Sequence, residues 1–421
     1  MKSAIVALLL SLCFLLATRA DDVSDIAARW TGSIPAQTLA SGAKLPELGE
    51  IASRSVLVEG DFARFEKVWT RLEKGESIRI AVVGGSITQG ASASVGAPPG
   101  STGNRWCDRF CEGWRSAFPN AKIDLINAGV GATGSNIGAY RLKRDVLNKE
   151  PDVVVVEFSV NDKNTSERAA SYEGVVRQLL KAPGDIAVIL LGMVSKDGQS
   201  AQECHGKVAQ HYNLPFVSYR DAVYPCIESG AIEWSDISPD AVHPNYIGHA
   251  YAAALLNRYL ASRYVDFKAS ARPPAPVPPL PEPLFGTRYD KGVFLEMTAV
   301  KTLENKGFFP LRDTCWGEGL ACTNAMSTLS FEVEGSTVAL LYRLGREPYN
   351  WGKIDVLIDG ENVARGVNCF RNQGWWYTPS LILCRDKPGR HVVQITALPE
   401  KDNASEGYGC HLTGVLVSDY E

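Results

Sequence analysis

Two widely separated segments of the sequence carry side chains that could together perform acyl transfer. The segment IAVVGGSITQGAS (residues 80–92) breaks from an apolar run into Gly-Gly-Ser and places Ser86 directly after two glycines. The segment SPDAVHPN (238–245) carries Asp240 and His243 three positions apart. A serine hydroxyl becomes a nucleophile when a histidine takes its proton, and a carboxylate can hold that histidine in one tautomer. These residue types predict a triad of Ser86, His243 and Asp240.

Other polar groups could stabilise the negative charge that develops on the carbonyl oxygen during acyl transfer. The candidate donors are the backbone N–H of Ser86, an N–H of the glycine-rich turn NAGVGATGS (127–135) at Gly131, and the side-chain amide of Asn161. Losing one such donor typically costs about 2.7–4 kcal/mol of transition-state stabilisation. We therefore predict an oxyanion hole formed by Ser86, Gly131 and Asn161.

Each of these residues also has a plain structural explanation. Asn161 and Asp162 could close a strand, Asp240 could cap a turn, and His243 with Pro244 could begin a helix. Their joint occurrence in this order is much less expected by chance, and it favours a functional site.

The candidate residues follow predicted strands. Short apolar runs alternate with longer amphipathic ones, which predicts a parallel sheet with helices on both faces. Strands are predicted at 78–84, 122–128, 153–160, 186–192 and 215–219, and helices at 104–118, 136–148, 167–181, 201–212 and 245–264. Ligands of a doubly wound sheet bind beyond the carboxyl ends of its strands. We expect Ser86 and Asn161 to meet at that edge.

The chain divides by composition into five segments. The stretch ARPPAPVPPLPEPL (271–284) carries seven prolines and predicts an extended spacer, because proline fixes φ and removes backbone donors. After it, short alternating strands replace the strand-helix pattern. We expect a three-layer α/β/α sandwich with a parallel sheet, followed by a smaller β-sandwich of jelly-roll type. The segments are a signal peptide (1–20), an N-terminal arm (21–59), a catalytic domain (60–268), a proline-rich linker (269–285) and a β-sandwich accessory domain (286–421).

The first twenty residues predict secretion. Lys2 precedes an apolar run that is shorter than a membrane span, and small residues precede a cleavage point after Ala20. A single membrane anchor is the competing interpretation. No later segment is apolar and long enough to span a bilayer, so we expect no membrane insertion once the signal is removed. The net charge of −4 gives no electrostatic reason to expect nucleic acid as a partner.

Secretion would make the cysteines disulfide candidates. Nine remain after signal removal, and an odd number leaves one thiol free or paired with another chain. The pairs Cys204–Cys226 and Cys369–Cys384 are guesses, because connectivity cannot be read from sequence. Asn164 and Asn403 lie in acceptor sequons for N-glycosylation.

The glycine-rich turn also matches a dinucleotide-binding pattern through Gly129, Gly131 and Gly134. The match follows the second strand rather than the first, and no strand about twenty positions on ends in an acidic residue. Secreted proteins also rarely meet NAD. No spacing typical of metal ligands is present, so we expect neither cofactor nor metal.

Four blocks in this order resemble the SGNH hydrolase superfamily. They are GGSIT (84–88), NAGVGATGS (127–135), FSVND (158–162) and DAVHPN (240–245), and the resemblance spans residues 78–264. It implies Ser86 as nucleophile with Asn161, Asp240 and His243 in support. Gly85 stands where the better-known form has aspartate, and the family's oxyanion glycine aligns with Gly131 or, in the other register, with Ala132.

The resemblance implies a GDSL-type carboxylic ester hydrolase. Secretion and the β-rich domain favour O-acetyl esters of a polysaccharide as substrate. Lipid or short-chain ester hydrolysis, acyl transfer by the same triad, and glycan binding without activity are the alternatives. Trp351, Trp375, Trp376 and Tyr377 are candidate sugar contacts, although tryptophans of a small sandwich more often belong to its core. We assign His205, His211 and His249 to packing or to the surface. Glu157 and Asp162 could tune the site, but structural roles are the favoured interpretation.

Overall fold

The computed structural model describes residues 23–32, 34, 39, 41–346, 348–349, 351–372 and 375–419, except for the side chains of 375–387. The predicted signal peptide lies outside these residues. The chain forms two compact units. The first comprises the chain up to Gly131 together with Lys149–Asn164 and Leu179–Glu282, and the second comprises Ala132–Asn148, Thr165–Gln178 and Pro283–Glu421.

The first unit contains a six-stranded sheet. Its strands are β1 (Val56–Val58), β2 (Ile78–Gly84), β3 (Ile123–Gly129), β4 (Val153–Glu157), β5 (Ala187–Gly192) and β6 (Phe216–Ser218), in the order β1-β6-β5-β4-β2-β3. Strands β2 to β6 are parallel, and β1 joins β6 antiparallel. The connection that leaves β2 runs to β3 on one side, and the connection that leaves β4 runs to β5 on the other. Such a change of direction between neighbouring strands opens a crevice at their carboxyl ends.

The helices connect and flank these strands. In chain order they are α1 (residues 23–31), α2 (Leu48–Ala52), α3 (Ala63–Glu73), α4 (Ser86–Gln89), α5 (Trp106–Ala117), α6 (Ser135–Asp145), α7 (Ser166–Lys181), α8 (Gln202–His211), α9 (Tyr219–Glu228), α10 (Trp234–Ile237) and α11 (Tyr246–Ser270). No described helix combines the length and the apolar character that a membrane span requires.

Helix α1 of the N-terminal arm contributes to the core of the first unit. The Trp30 side chain is fully buried, and its ring lies 4.8 Å from that of Trp114 and 6.3 Å from that of Trp69. The rings of Phe118 and Tyr264 complete the cluster at 5.3 and 5.8 Å. Edge-to-face contacts at these distances are favourable beyond the area that they bury. The arm is therefore an integral part of this unit.

The second unit is built on a nine-stranded antiparallel sheet. Its strands are β7 (Val293–Leu295), β8 (Lys301–Lys306), β9 (Phe309–Asp313), β10 (Gly317–Cys322), β11 (Thr328–Gly345), β12 (Lys353–Ile358), β13 (Glu361–Asn368), β14 (Trp375–Ala397) and β15 (Cys410–Ser418). The order is β13-β12-β14-β11-β15-β10-β9, with β7 paired to β15 and β8 to β11. The long strand β11 pairs with β8 through its first half and with β15 through its second, and its register shifts between Gly335 and Thr337.

Helix α6 and most of α7 group with this sheet. The Arg177 guanidinium forms a buried ion pair with Asp290 at 2.9 Å. The Gln178 amide donates to the carbonyls of Ala139 and Tyr289 at 2.8 and 2.6 Å. These bonds connect both helices to the segment that leads into β7.

The proline-rich segment is held at both of its ends. Glu66 accepts hydrogen bonds from the Arg272 guanidinium and from the Ala275 N–H. Glu173 on α7 accepts from the N–H groups of Leu284 and Phe285 at 2.5 and 2.6 Å. The parallel sheet and the large antiparallel sheet confirm the predicted fold class of an α/β domain followed by a β domain.

Replacing Trp30 tests whether the arm stabilises the first unit. We expect Trp30→Ala to lower the free energy of unfolding by about 3–5 kcal/mol, because it removes a fully buried indole and leaves a cavity. Urea unfolding followed by tryptophan fluorescence would measure the loss. Trp30→Phe is the matched control and should cost much less. An alanine variant as stable as the parent would show that the arm is dispensable.

Candidate active site

Ser86 lies at a tight turn between β2 and α4. A Cβ on Gly84 would lie 2.2 Å from the Thr88 hydroxyl and 2.3 Å from the Glu157 carbonyl oxygen, so only glycine fits there. The Thr88 hydroxyl donates to the Glu157 carboxyl at 2.9 Å, and the Thr88 carbonyl accepts from the Asn127 amide at 2.9 Å. The helix that carries Ser86 is thus bonded to the ends of both neighbouring strands.

The structure brings the three predicted triad residues together. The Ser86 hydroxyl lies 2.8 Å from His243 Nε2. His243 Nδ1 lies 2.9 Å from Asp240 Oδ2. This is the connectivity that general-base activation of a serine requires, with the carboxylate on the far side of the imidazole.

The loop that carries Asp240 and His243 is held by its own hydrogen bonds. The Ser238 hydroxyl donates to the carbonyls of Asp240 and His243 at 2.8 and 2.6 Å. The Trp234 indole N–H also donates to the Asp240 carbonyl, at 2.6 Å. Asn245 then caps α11 by accepting from the N–H of Ile247 at 3.0 Å. The histidine is therefore fixed by short local contacts.

Asp240 is held in its charged form. Partial burial alone would raise the pKa of its carboxyl, but hydrogen bonds from the N–H groups of His243 and Val242, together with the imidazole, lower the pKa below its usual value. Its side chain remains 47 % exposed and that of His243 28 % exposed. The triad therefore lies in an open site with a permanent negative charge behind the imidazole.

Asn161 follows β4, as predicted. The next residue, Asp162, is held in place by a buried histidine. The buried Asp162 carboxylate lies 3.1 Å from Nε2 of the buried His205. Asn161 Oδ1 is buried and has no hydrogen-bond partner among the described residues. A buried polar atom without a hydrogen bond lowers the free energy of unfolding, and proteins retain such atoms mainly at functional positions.

The Gly131 N–H is already engaged. It donates to the side-chain oxygen of Gln89 at 3.0 Å, so Gly131 could serve as an oxyanion donor only after Gln89 moves away. The next residue, Ala132, has φ 58°, in the left-handed region that favours glycine. A glycine at this position would adopt the same backbone conformation without strain. In contrast, Ser86 begins α4, and an N–H in the first turn of a helix has no intrahelical partner.

Glu157 lies directly beneath the Ser86 turn, where it could tune the site. It ends β4 opposite Gly84 of β2 and is fully buried. Burial raises the pKa of its carboxyl from 4.5 to about 7; the Thr88 hydrogen bond offsets part of this, and the charge of Asp162 adds to it. Sequence alone gives no signal for this shift, because the shift depends on burial.

His249 is a buried packing residue, and it positions the segment that follows Ser86. Its Nδ1 accepts from the Trp106 N–H at 3.1 Å, so its Nε2 carries the proton and donates to the Ala91 carbonyl at 3.2 Å. Burial lowers the pKa of His249 from 6.5 to about 4. The neutral imidazole thus links the 91–105 segment to α11 and to the start of α5.

Of the four predicted sugar contacts of the β unit, the structure describes the side chain of Trp351. Trp351 is fully buried in the core, so its prediction as a glycan contact is wrong: its ring has no face open to solvent. The side chains of Trp375, Trp376 and Tyr377 lie outside the described residues. Tyr349, which sequence reasoning did not select, is 43 % exposed and rests edge-on against Trp351 at 5.5 Å.

The guessed cysteine pair Cys204–Cys226 is also wrong. The structure shows no disulfide between these two residues, and their sulfurs have different partners. Cys204 hydrogen-bonds to the Ala201 carbonyl at 3.3 Å, and the Cys226 sulfur accepts from Arg54 at 2.9 Å. Cys369 is free, and the side chain of its guessed partner Cys384 lies outside the described residues.

The two glycosylation candidates are exposed. The Asn164 amide donates to the Ser200 carbonyl at 2.9 Å, so a glycan there would compete with an existing bond. Asn403 lies in an exposed loop before β15.

Comparison with known proteins gives an independent view of this site. The model of the GDSL-like lipase/acylhydrolase family matches residues 82–251, which include all four of Ser86, Asn161, Asp240 and His243. A solved two-domain esterase (CEX) active on acetylated mannans is 30% identical, with a TM-score of 0.77, and covers 88% of this chain and 99% of its own. The same description applies to a form co-crystallised with mannopentaose, at 29% identity, a TM-score of 0.77, and 88% and 98% coverage. No curated protein sequence matches the chain significantly.

The chain belongs to the GDSL-like lipase/acylhydrolase family. It is accordingly a carboxylic ester hydrolase of the SGNH superfamily with a second, β-rich unit. The family match covers the first unit's strands β3 to β6 entirely and begins within β2.

The buried carboxyl of Glu157 makes a pH-dependent contribution to the stability of this acylhydrolase. Its pKa is higher in the folded than in the unfolded chain, so its favourable contribution is present below about pH 4.5 and is lost as the pH rises through about 7. Glu157→Gln keeps an oxygen that can accept from Thr88 but removes the titration. We compare the free energies of unfolding of variant and parent. We expect the difference between them to grow in favour of the variant by about 3 kcal/mol as the pH rises from about 4.5 to 7.5.

Urea unfolding of both proteins across this pH range would measure the difference. Glu167→Gln, an exposed position on α7, is the control and should leave the difference flat. A pH-independent difference for Glu157→Gln would contradict a titrating buried carboxyl.

Proposed function

We propose that this protein is a secreted serine esterase that removes O-acetyl groups from a polysaccharide. The observation that supports it most directly is the hydrogen-bonded chain from Ser86 through His243 to Asp240, with contacts of 2.8 and 2.9 Å. Secretion rests on the signal-like first twenty residues.

In the proposed reaction the Ser86 oxygen attacks the ester carbonyl while His243 Nε2 takes the hydroxyl proton. The negative charge of Asp240 stabilises the imidazolium that forms. Collapse of the tetrahedral intermediate expels the sugar hydroxyl, which receives its proton from His243. Water then attacks the acyl-serine with His243 again as base, and acetate leaves.

Donors at the oxyanion stabilise both tetrahedral intermediates. The Ser86 N–H at the start of α4 and the Asn161 amide are the proposed donors in the first unit. Gly131 would join them only if Gln89 releases its N–H.

The exposure of the triad favours hydrolysis over acyl transfer. Transfer to a second sugar requires that water be kept from the acyl-enzyme. Here both the His243 and Asp240 side chains are partly exposed, so water has ready access to the base. Acyl transfer is the second candidate and would need an acceptor that closes the site.

Acetylated mannan is the polysaccharide that we favour. The solved relatives are described as a two-domain esterase active on acetylated mannans, and they match this chain over nearly their whole length. Hydrolysis of lipid or short-chain esters and glycan binding without activity remain the competing functions.

The assignment of the nucleophile is tested by Ser86→Ala. We expect kcat on p-nitrophenyl acetate to fall by about 10³-fold or more, the magnitude expected when a triad member is lost. Ser235→Ala removes an exposed hydroxyl and is the matched control, with unchanged rates expected. Equal activity of parent and Ser86→Ala would exclude Ser86 as nucleophile, and an inert parent would favour the binding function.

The substrate class is tested by acetate release from acetylated mannan, compared with release of butyrate from p-nitrophenyl butyrate. We expect Tyr349→Ala to raise KM for the polymer about 3–10-fold through loss of an exposed stacking ring, with kcat and the KM for p-nitrophenyl acetate unchanged. Val363→Ala, an exposed apolar position of the same unit, is the control. Preference for butyrate would favour the lipid-esterase function, and an unchanged polymer KM would remove Tyr349 from the sugar contacts.

A further inference from the structure

Three cysteines meet in the core of the second unit. Cys322, Cys369 and Cys410 are all fully buried. The Cys410 thiol lies within hydrogen-bond reach of the thiols of both Cys322 and Cys369. Within the described part of the chain, no group of three or more His, Cys, Asp or Glu side chains has the arrangement of a metal site. The cluster is therefore better explained by sulfur chemistry than by metal binding.

Cys322 and Cys410 are directly opposed on neighbouring strands. Cys322 ends β10 and Cys410 begins β15, and the antiparallel register pairs them with each other. Directly opposed residues of an antiparallel pair have Cα atoms about 4.5–5.5 Å apart. A disulfide requires a Cα separation of about 4.4–6.8 Å. The backbone therefore already has the spacing for a bond between these two sulfurs.

Cys369 is placed differently. Its N–H donates to the Gly352 carbonyl at 2.9 Å, and the Gly352 N–H donates to the Gly409 carbonyl at 2.9 Å. Gly352 thus lies between the backbone of Cys369 and the segment that enters β15. Two strand spacings of about 4.8 Å exceed the separation that a disulfide tolerates without backbone movement. Cys369 can touch Cys410 through its side chain but is poorly placed to bond to it.

We propose that Cys322 and Cys410 form a cross-strand disulfide in the secreted protein, with Cys369 as a buried thiol beside it. The two thiols lose two protons and two electrons to a disulfide oxidant of the secretory compartment, such as glutathione disulfide, which becomes two thiols. The bond joins β10 to β15 and encloses β11 to β14.

The surroundings determine when this bond can form. The hydrogen bond to Cys410, and burial, raise the pKa of the Cys322 thiol. Exchange proceeds through the thiolate, which the closed core disfavours. Oxidation therefore precedes closure of the core, and the finished bond is shielded from reductants in the native protein.

The proposal rests on the proposed secretion, so the test supplies the oxidising compartment itself. The chain without its first twenty residues is exported to a bacterial periplasm behind a foreign leader, purified, denatured with an alkylating agent and digested without reduction. We expect a crosslinked peptide pair containing Cys322 and Cys410, and alkylated Cys369. Alkylation of all three cysteines, or a crosslink between Cys369 and Cys410, would overturn the proposal. Esterase activity of the same sample is scored separately, so failure of the proposed function is seen independently.

Variants provide a second measurement. Cys369→Ala is the matched control and should keep the crosslink, whereas Cys322→Ala should lose it. We expect strong reductant to lower the melting temperature of the Cys369→Ala protein by about 5–10 °C and to leave that of Cys322→Ala unchanged. Native parent protein should keep its crosslink in mild reductant that removes it after denaturation. An equal response of the two variants to reductant would contradict the assignment.

Discussion

The close approach of the Ser86 turn to β4 is the constraint on which the rest of the site depends. Gly84 has no room for a side chain, because the Thr88 hydroxyl and the Glu157 carbonyl occupy the position of its Cβ. This approach lets Thr88 bond to the buried Glu157 carboxyl, so the turn that carries Ser86 is fixed to the strand that also leads to Asn161. A larger residue at Gly84 would separate the serine from the edge of the sheet. The serine and the asparagine thus share one rigid support rather than two independent loops.

His243 comes to this support from a segment far along the chain, on a loop that is held mainly by local bonds. Asp240 accepts from the backbone N–H groups of Val242 and His243 as well as from the imidazole. The same carboxylate therefore shapes the turn and orients the histidine. Because α11 begins directly after the loop, capped by Asn245, the direction of the helix fixes where His243 points. The positions of His243 and Asp240 are consequently well defined, although both side chains are partly exposed.

Sequence reasoning located the five parallel strands and the residues that the structure brings together at the triad, because strand periodicity and motif order are local signals. It did not identify β1, a three-residue edge strand, nor the part that Trp30 plays in the core of the first unit, since that depends on contacts with distant helices. It placed Trp351 among the sugar contacts, although the ring is in the core, because a short strand-turn sequence does not say which side chain faces inward. The pKa shift of Glu157 and the opposed cysteines depend on burial and register, which are properties of the fold alone.

The two buried titratable groups near the site have opposite charges and opposite shifts. The Glu157 pKa rises from 4.5 to about 7, and the His249 pKa falls from 6.5 to about 4. The unfavourable effect of Glu157 on folding grows as the pH rises through this interval, and that of His249 declines over nearly the same interval. Their sum stays nearly level from about pH 4 to pH 7. Together the acid and the imidazole act as a compensating pair, because each offsets the pH dependence that the other alone would give to the stability of the first unit.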